Sequence, residues 1–167
     1  MTATARYSGA CMLIFALIAF QSVCDALGTE TSLEHFRKVP TTVRYDGVEM
    51  RLTASLMRDV MPTVVSSEAE AQKYRGGRPG YAMIQLSASP SAASLHAVEV
   101  WIIQGDQVWE TKDIEERGAG PKGNEIMVRN GPKWAPESEV DVIVRYVDGQ
   151  SRIVELAARH QVVRGVS

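Results

Sequence analysis

From Glu49 to Leu56 the chain alternates without a break, with Met50, Leu52, Ala54 and Leu56 on one side and Glu49, Arg51, Thr53 and Ser55 on the other. Successive side chains of an extended strand point to opposite faces, so this period of two predicts a strand with one face on a core and one in water. The pattern recurs. Tyr81 to Ala88 turns Ala82, Ile84, Leu86 and Ala88 one way, and Glu139 to Tyr146 does the same with Val140, Val142, Val144 and Tyr146. Pro62 stops the first run, and a Ser, Ala and Pro loop from Ser89 to Ser94 stops the second.

Two turns set register. Gly105-Asp106 lies between apolar runs, and glycine in first place suits a two-residue type II′ hairpin. Ile102 then faces Trp109 and Val100 faces Thr111, while Trp101 and Ile103 point to the opposite side. Around Asp148-Gly149 the apolar residues of both flanking runs are even-numbered, so the pairing must put even opposite even. A three-residue loop, Val147-Asp148-Gly149, does this with Gly149 left-handed, Val142 opposite Val154 and Val140 opposite Leu156.

Between these elements, Ser66 to Gly80 is a polar connector in which Glu68 to Tyr74 can form a turn or two of helix. The stretch from Ile114 to Ser138, punctuated by Gly118, Gly120, Pro121, Gly123 and Gly131-Pro132, is expected to be irregular apart from a short strand over Glu125 to Arg129. About seven to nine short strands and no long helix predict an all-β fold, an antiparallel immunoglobulin-like β-sandwich, with a small open barrel as the alternative. A parallel α/β architecture is excluded.

The first 26 residues obey a different rule. Arg6 precedes an apolar run from Ala10 to Phe20, and Cys24-Asp25-Ala26 offers small residues for cleavage, which is the pattern of a secretory signal over residues 1–26. The run falls short of the roughly 20 apolar residues a spanning helix needs, so no transmembrane helix is expected in the mature chain. Residues 27–40 read as a flexible lead-in and 41–167 as the β-domain. The only cysteines, Cys11 and Cys24, lie inside the leader, so the mature domain has no disulfide. Lipid anchoring at Cys24 is the less favoured variant, because Gln21 and Val23 do not match the residues expected ahead of a lipidated cysteine. The expected location is periplasmic or secreted. With 18 basic and 20 acidic residues the chain carries a net charge of -2, and nothing favours nucleic acid as a partner.

Chemistry is sparse. His35, His96 and His160 stand apart, no Gly-x-Ser-x-Gly elbow occurs, and the glycines from Gly118 to Gly123 lack the Gly-Lys-Ser/Thr ending of a phosphate loop. Asp113, Glu115 and Glu116 lack EF-hand spacing. Met57 and Met61 with His96 or His160 form a soft ligand set that could hold Cu(I), although methionine is more often a core filler. Trp109 is structural. Trp101, pointing away from the core, and Trp134, in a loop rich in Gly and Pro, are the candidate binding anchors, with Arg75 and Arg78 as basic contacts. The other role for Trp134 is to cover the open end of the sandwich.

The segments Arg58-Asp59-Val60-Met61-Pro62, Gln107-Val108-Trp109-Glu110-Thr111, Arg129 to Trp134 and Val140 to Arg145 together resemble a loose group of small exported bacterial Ig-like β-sandwich proteins of unknown function. That resemblance implies an envelope or secreted β-domain and supplies no activity. The expectation is therefore a non-enzymatic binding or accessory domain of the bacterial envelope that needs no cofactor and whose partner is another envelope protein. A copper-binding sandwich is the alternative, and a hydrolase the third.

Overall fold

The structure is a computed structural model that describes residues 33–60, 66–87, 95–120 and 123–166. The signal segment and Met61 lie outside the described residues. The chain divides into two compact units, Met1–Lys38 and Val39–Ser167. In the first, residues 33–38, part of the lead-in, form a helical segment (α1) with a Lys38–Glu34 ion pair.

The second unit is all-β. Its strands are β1 (Thr42–Tyr45), β2 (Val48–Asp59), β3 (Gly80–Ser87), β4 (His96–Gln104), β5 (Gln107–Thr111), β6 (Ile114–Gly120), β7 (Gly123–Gly131), β8 (Glu139–Val147) and β9 (Ile153–Val166). One short helix, α2 (Glu68–Lys73), sits in the connector, where Ser67 accepts from the Glu70 amide and the Glu70 carboxylate accepts from Ser66. Among the described residues no helix is long and apolar enough to cross a membrane.

The strands form a single mixed sheet in the order β5-β4-β8-β9-β2-β3-β7-β6, with β1 added beside β2. The sheet turns on itself through β9, whose first part pairs with β8 and whose last residues run parallel to β2, Leu56 opposite Val163 and Asp59 opposite Val166. This pair corrects the expectation of a purely antiparallel fold. Its cause is a bulge at which Asp141 faces both Arg159 and His160, accepting from the Arg159 guanidinium and from the His160 amide, each at 2.9 Å. His160 adopts φ 56°, unusual for a residue with a side chain, and the bend carries β9 across to β2.

The inward rows of the two halves meet in one core. Met50, Leu56, Ile84 and Leu86 come from one side, and Ile102, Val142 and Leu156 from the other, all fully buried. Each such side chain contributes about 1.5–3 kcal/mol. The β4–β5 hairpin has the expected register, Ile102 opposite Trp109, with Gly105 at φ 59°. The β8–β9 turn differs. Even residues do face even residues, but Val142 lies opposite Ala158 and Val144 opposite Leu156, because the loop runs from Asp148 to Arg152 and Ser151, not Gly149, is left-handed. The Asp148 carboxylate accepts from the Gln150 and Arg152 amides, both at 2.8 Å, and holds the longer turn.

The stretch from Ile114 to Ser138, expected to be largely irregular, contains β6 and a β7 longer than the predicted strand. β6 pairs with β7 alone, so it is an edge strand that shows water a charged series and bulges at Gly118, where φ is 87°.

Candidate functional site

Of the residues singled out as binding candidates, Trp134, Arg75 and Arg78 come together, in a lock that closes one end of the β-unit. The Trp134 ring is 4% exposed, meets Trp109 edge to face at 6.0 Å, and lies on the backbones of Gly80 and Gly131. Arg58 donates to the carbonyls of Trp134 (2.6 Å), Lys133 (3.0 Å) and Gly76. Lys133 Nζ donates to the Arg75 carbonyl at 2.6 Å, and Arg78 lies 3.5 Å from the Asp59 carboxylate and over the Tyr74 ring. Trp134 is therefore no exposed anchor. It covers the end of the domain, since burying so large a ring gains more than leaving it in water.

Trp101 is likewise not open to a partner. It lies on the outer side of β4, as expected, but is only 5% exposed. The Arg145 guanidinium lies 4.7 Å above its ring and Nε1 donates to Glu110 at 3.3 Å. Arg145 is itself the centre of a charged row across β9, β8 and β4, with Glu99 at 2.6 Å, Glu155 at 2.7 Å and Lys112 bridging to Glu99 at 3.1 Å. The row screens the indole from water and explains how a large apolar group is kept on an outer face.

The described members of the copper set, Met57, His96 and His160, do not converge. His96 lies opposite Val147 and His160 against Asp141, roughly 20 Å apart along β8 at about 3.3 Å per residue. Met57 is opposite Arg164, displaced from His160 by roughly 13 Å along β9, and its sulfur accepts from the Tyr81 hydroxyl at 3.1 Å. Each imidazole faces a carboxylate instead, His96 with Glu116 and His160 with Glu139. Among the described residues no three of His, Cys, Asp and Glu are grouped to hold a metal ion. Of the acidic trio, Glu115 is paired with Arg117 and Arg129, whose hydrogen bonds hold its carboxyl below the usual range.

The hydrogen bond and charge of Glu139 raise the His160 imidazole above its ordinary value. An NMR titration should place its midpoint above 6.5, and Glu139→Gln should return it to the ordinary range. A wild-type midpoint at or below 6.5 would mean that Glu139 does not hold the His160 imidazole.

What the fold does build is a cleft of about 130 Å³ at the mouth between its two halves, where β4 and β8 approach β6 and β7. Leu95, Ala97 and Tyr146 line it from one half, Ile126, Asn124 and Glu116 from the other. Asn124 Nδ2 donates to the Leu95 carbonyl at 3.4 Å, across the gap. Glu116 pairs with Ile126 and so shares its inward side, although its side chain is 49% exposed. At the back stands Tyr146, 1% exposed, whose hydroxyl is buried without a hydrogen-bond partner. Burial, then the Glu116 carboxylate, push this phenol far above its ordinary value, so it stays protonated.

Neither residue was a sequence candidate for this site. The alternation of Val140, Val142 and Val144 places Tyr146 inward, and a phenol at the end of a buried row of valines is itself a signal, because a buried hydroxyl needs a partner. Glu116 carried no comparable signal, its inward position depending on a β6 strand that the sequence does not announce. No family model, no curated protein and no solved structure matches the chain.

Proposed function

We propose that this chain is an exported, non-enzymatic binding domain of the bacterial envelope, an immunoglobulin-like sandwich that takes a small ligand in the mouth between its sheets. The buried, unpaired hydroxyl of Tyr146, a residue that lines the cleft, carries the reading. A buried phenol without a partner costs about 1–3 kcal/mol, a cost that folding alone gives no reason to keep. A phenol held protonated can donate or accept a hydrogen bond but is no base or nucleophile, which favours binding over catalysis.

The strand order supports the sandwich. Its halves β5-β4-β8-β9 and β2-β3-β7-β6 correspond to C′-C-F-G and A-B-E-D of immunoglobulin domains. The leader-like segment supports export.

Tyr146→Phe is expected to stabilise the unliganded protein by about 1 kcal/mol or more in urea denaturation. In a thermal-shift screen of small polar compounds, the hits should raise the melting temperature of the wild type and not of the variant. A variant less stable than the wild type by over about 1 kcal/mol would mean that the hydroxyl is structurally satisfied, and the cleft would lose its claim.

A further inference from the structure

The charge of the cleft narrows what can enter it. Resting on the binding reading above, we infer that the ligand is a small organic cation, a primary alkylammonium, with its alkyl part against Leu95, Ala97 and Ile126 and its nitrogen bonded to Glu116 and the Tyr146 oxygen. The lining is acidic. Glu116 turns its carboxylate to it, and no Lys or Arg lines it among the described residues.

The one basic side chain there, His96, is 66% exposed and stands 3.4 Å from Glu116. A charge-assisted bond between well-placed partners is about 2.8 Å, so the histidine is a loose partner that an incoming ammonium can displace. A partly enclosed cleft focuses the field of its carboxylate, which attracts cations and repels carboxylate ligands. Size points the same way. A cavity of about 150 Å³ holds benzene, so the 130 Å³ here suits a ligand of about six non-hydrogen atoms.

The Tyr146 hydroxyl is an independent sign that the site expects a polar group. It lies deep, among apolar neighbours, where a pocket meant only for hydrocarbon would carry phenylalanine. An ammonium offers donors to its oxygen and to Glu116 together, whereas an alcohol can satisfy the phenol but leaves the carboxylate without a new partner.

The test uses the exported chain as recovered after secretion and three probes of equal chain length: n-pentylammonium, 1-pentanol and pentanoate. Binding is followed through amide shifts of Ala97 and Ile126. The ammonium should bind at least about tenfold more tightly than the alcohol, and pentanoate should not bind. Glu116→Gln, on an exposed edge strand, should abolish the preference, the ammonium falling to the affinity of pentanol, and raised salt should weaken only the ammonium. Pentanol binding as tightly as the ammonium would overturn the cation assignment and leave the binding cleft standing. No shift with any probe would overturn both.

Discussion

Alanine at Gly131 is expected to destabilise the domain by about 3 kcal/mol, a large effect for one added methyl. The new Cβ would lie 2.5 Å from Cη2 and 2.8 Å from Cζ3 of Trp134, closer than side-chain carbons approach. A Cβ at Gly80, directly opposite across β3 and β7, would meet the same ring at 2.6 Å and the Pro132 carbonyl at 2.9 Å. The two glycines thus form a slot for the indole, and the ring has nowhere to go, because Trp109 packs on its edge and Arg58 holds the Trp134 carbonyl. Trp134→Ala should itself cost about 3–5 kcal/mol. In the double variant the clash disappears with the ring, so the combined loss in urea denaturation should fall well short of the sum. A Gly131→Ala protein within about 1 kcal/mol of wild type would mean that the slot is loose and that Trp134 does not close the domain.

The same slot marks where a linear reading stops. The Gly and Pro loop around Trp134 was visible, but whether its indole reaches outward or inward depends on Gly80, which lies far away in the chain and becomes a neighbour only through β3–β7 pairing. β2 and the β4–β5 hairpin were legible because their causes are local. Alternation needs only one wet face, and a left-handed first turn position needs only Gly105.

β6 was not legible, since Glu115, Glu116 and Arg117 show no apolar period and an edge strand exists only through its partner. The passage of β9 between the halves was hidden for a similar reason: its bulge is held by Asp141 from another strand, and no glycine announces the left-handed residue. The candidate site shares that fate. Tyr146 could be placed inward, but its lack of a partner is a property of what β6 and β7 put across from it.

The turn between β8 and β9 supplies the second large expected effect. Asp148 is buried and accepts from the Tyr45 hydroxyl, from the amides of Gln150 and Arg152, and from Arg152 Nε at 2.6 Å. Arg152 also stacks 4.7 Å over the Tyr45 ring and reaches Asp46 in the β1–β2 turn, so one carboxylate fastens two turns.

Asp148→Asn keeps the shape but replaces one acceptor oxygen by an NH₂ group facing donors, and should lower the melting temperature at neutral pH by roughly 5–10 °C. The difference should depend on pH in one direction. The Tyr45 hydrogen bond first, and then those from Arg152 and Gln150, hold the carboxyl well below the usual carboxylate range against the opposing effect of burial. On acidification the unfolded chain therefore takes up the proton before the folded one. The contribution of Asp148 is complete above about pH 4, the unfolded value, and drains away as the pH falls through the lower folded value. Melting curves of the two proteins should run parallel from pH 7 to about 5 and converge below about pH 4. A gap that stays constant down to pH 2 would mean that the charge of Asp148 contributes nothing to holding the turns, leaving only the shape of its side chain to explain the loss.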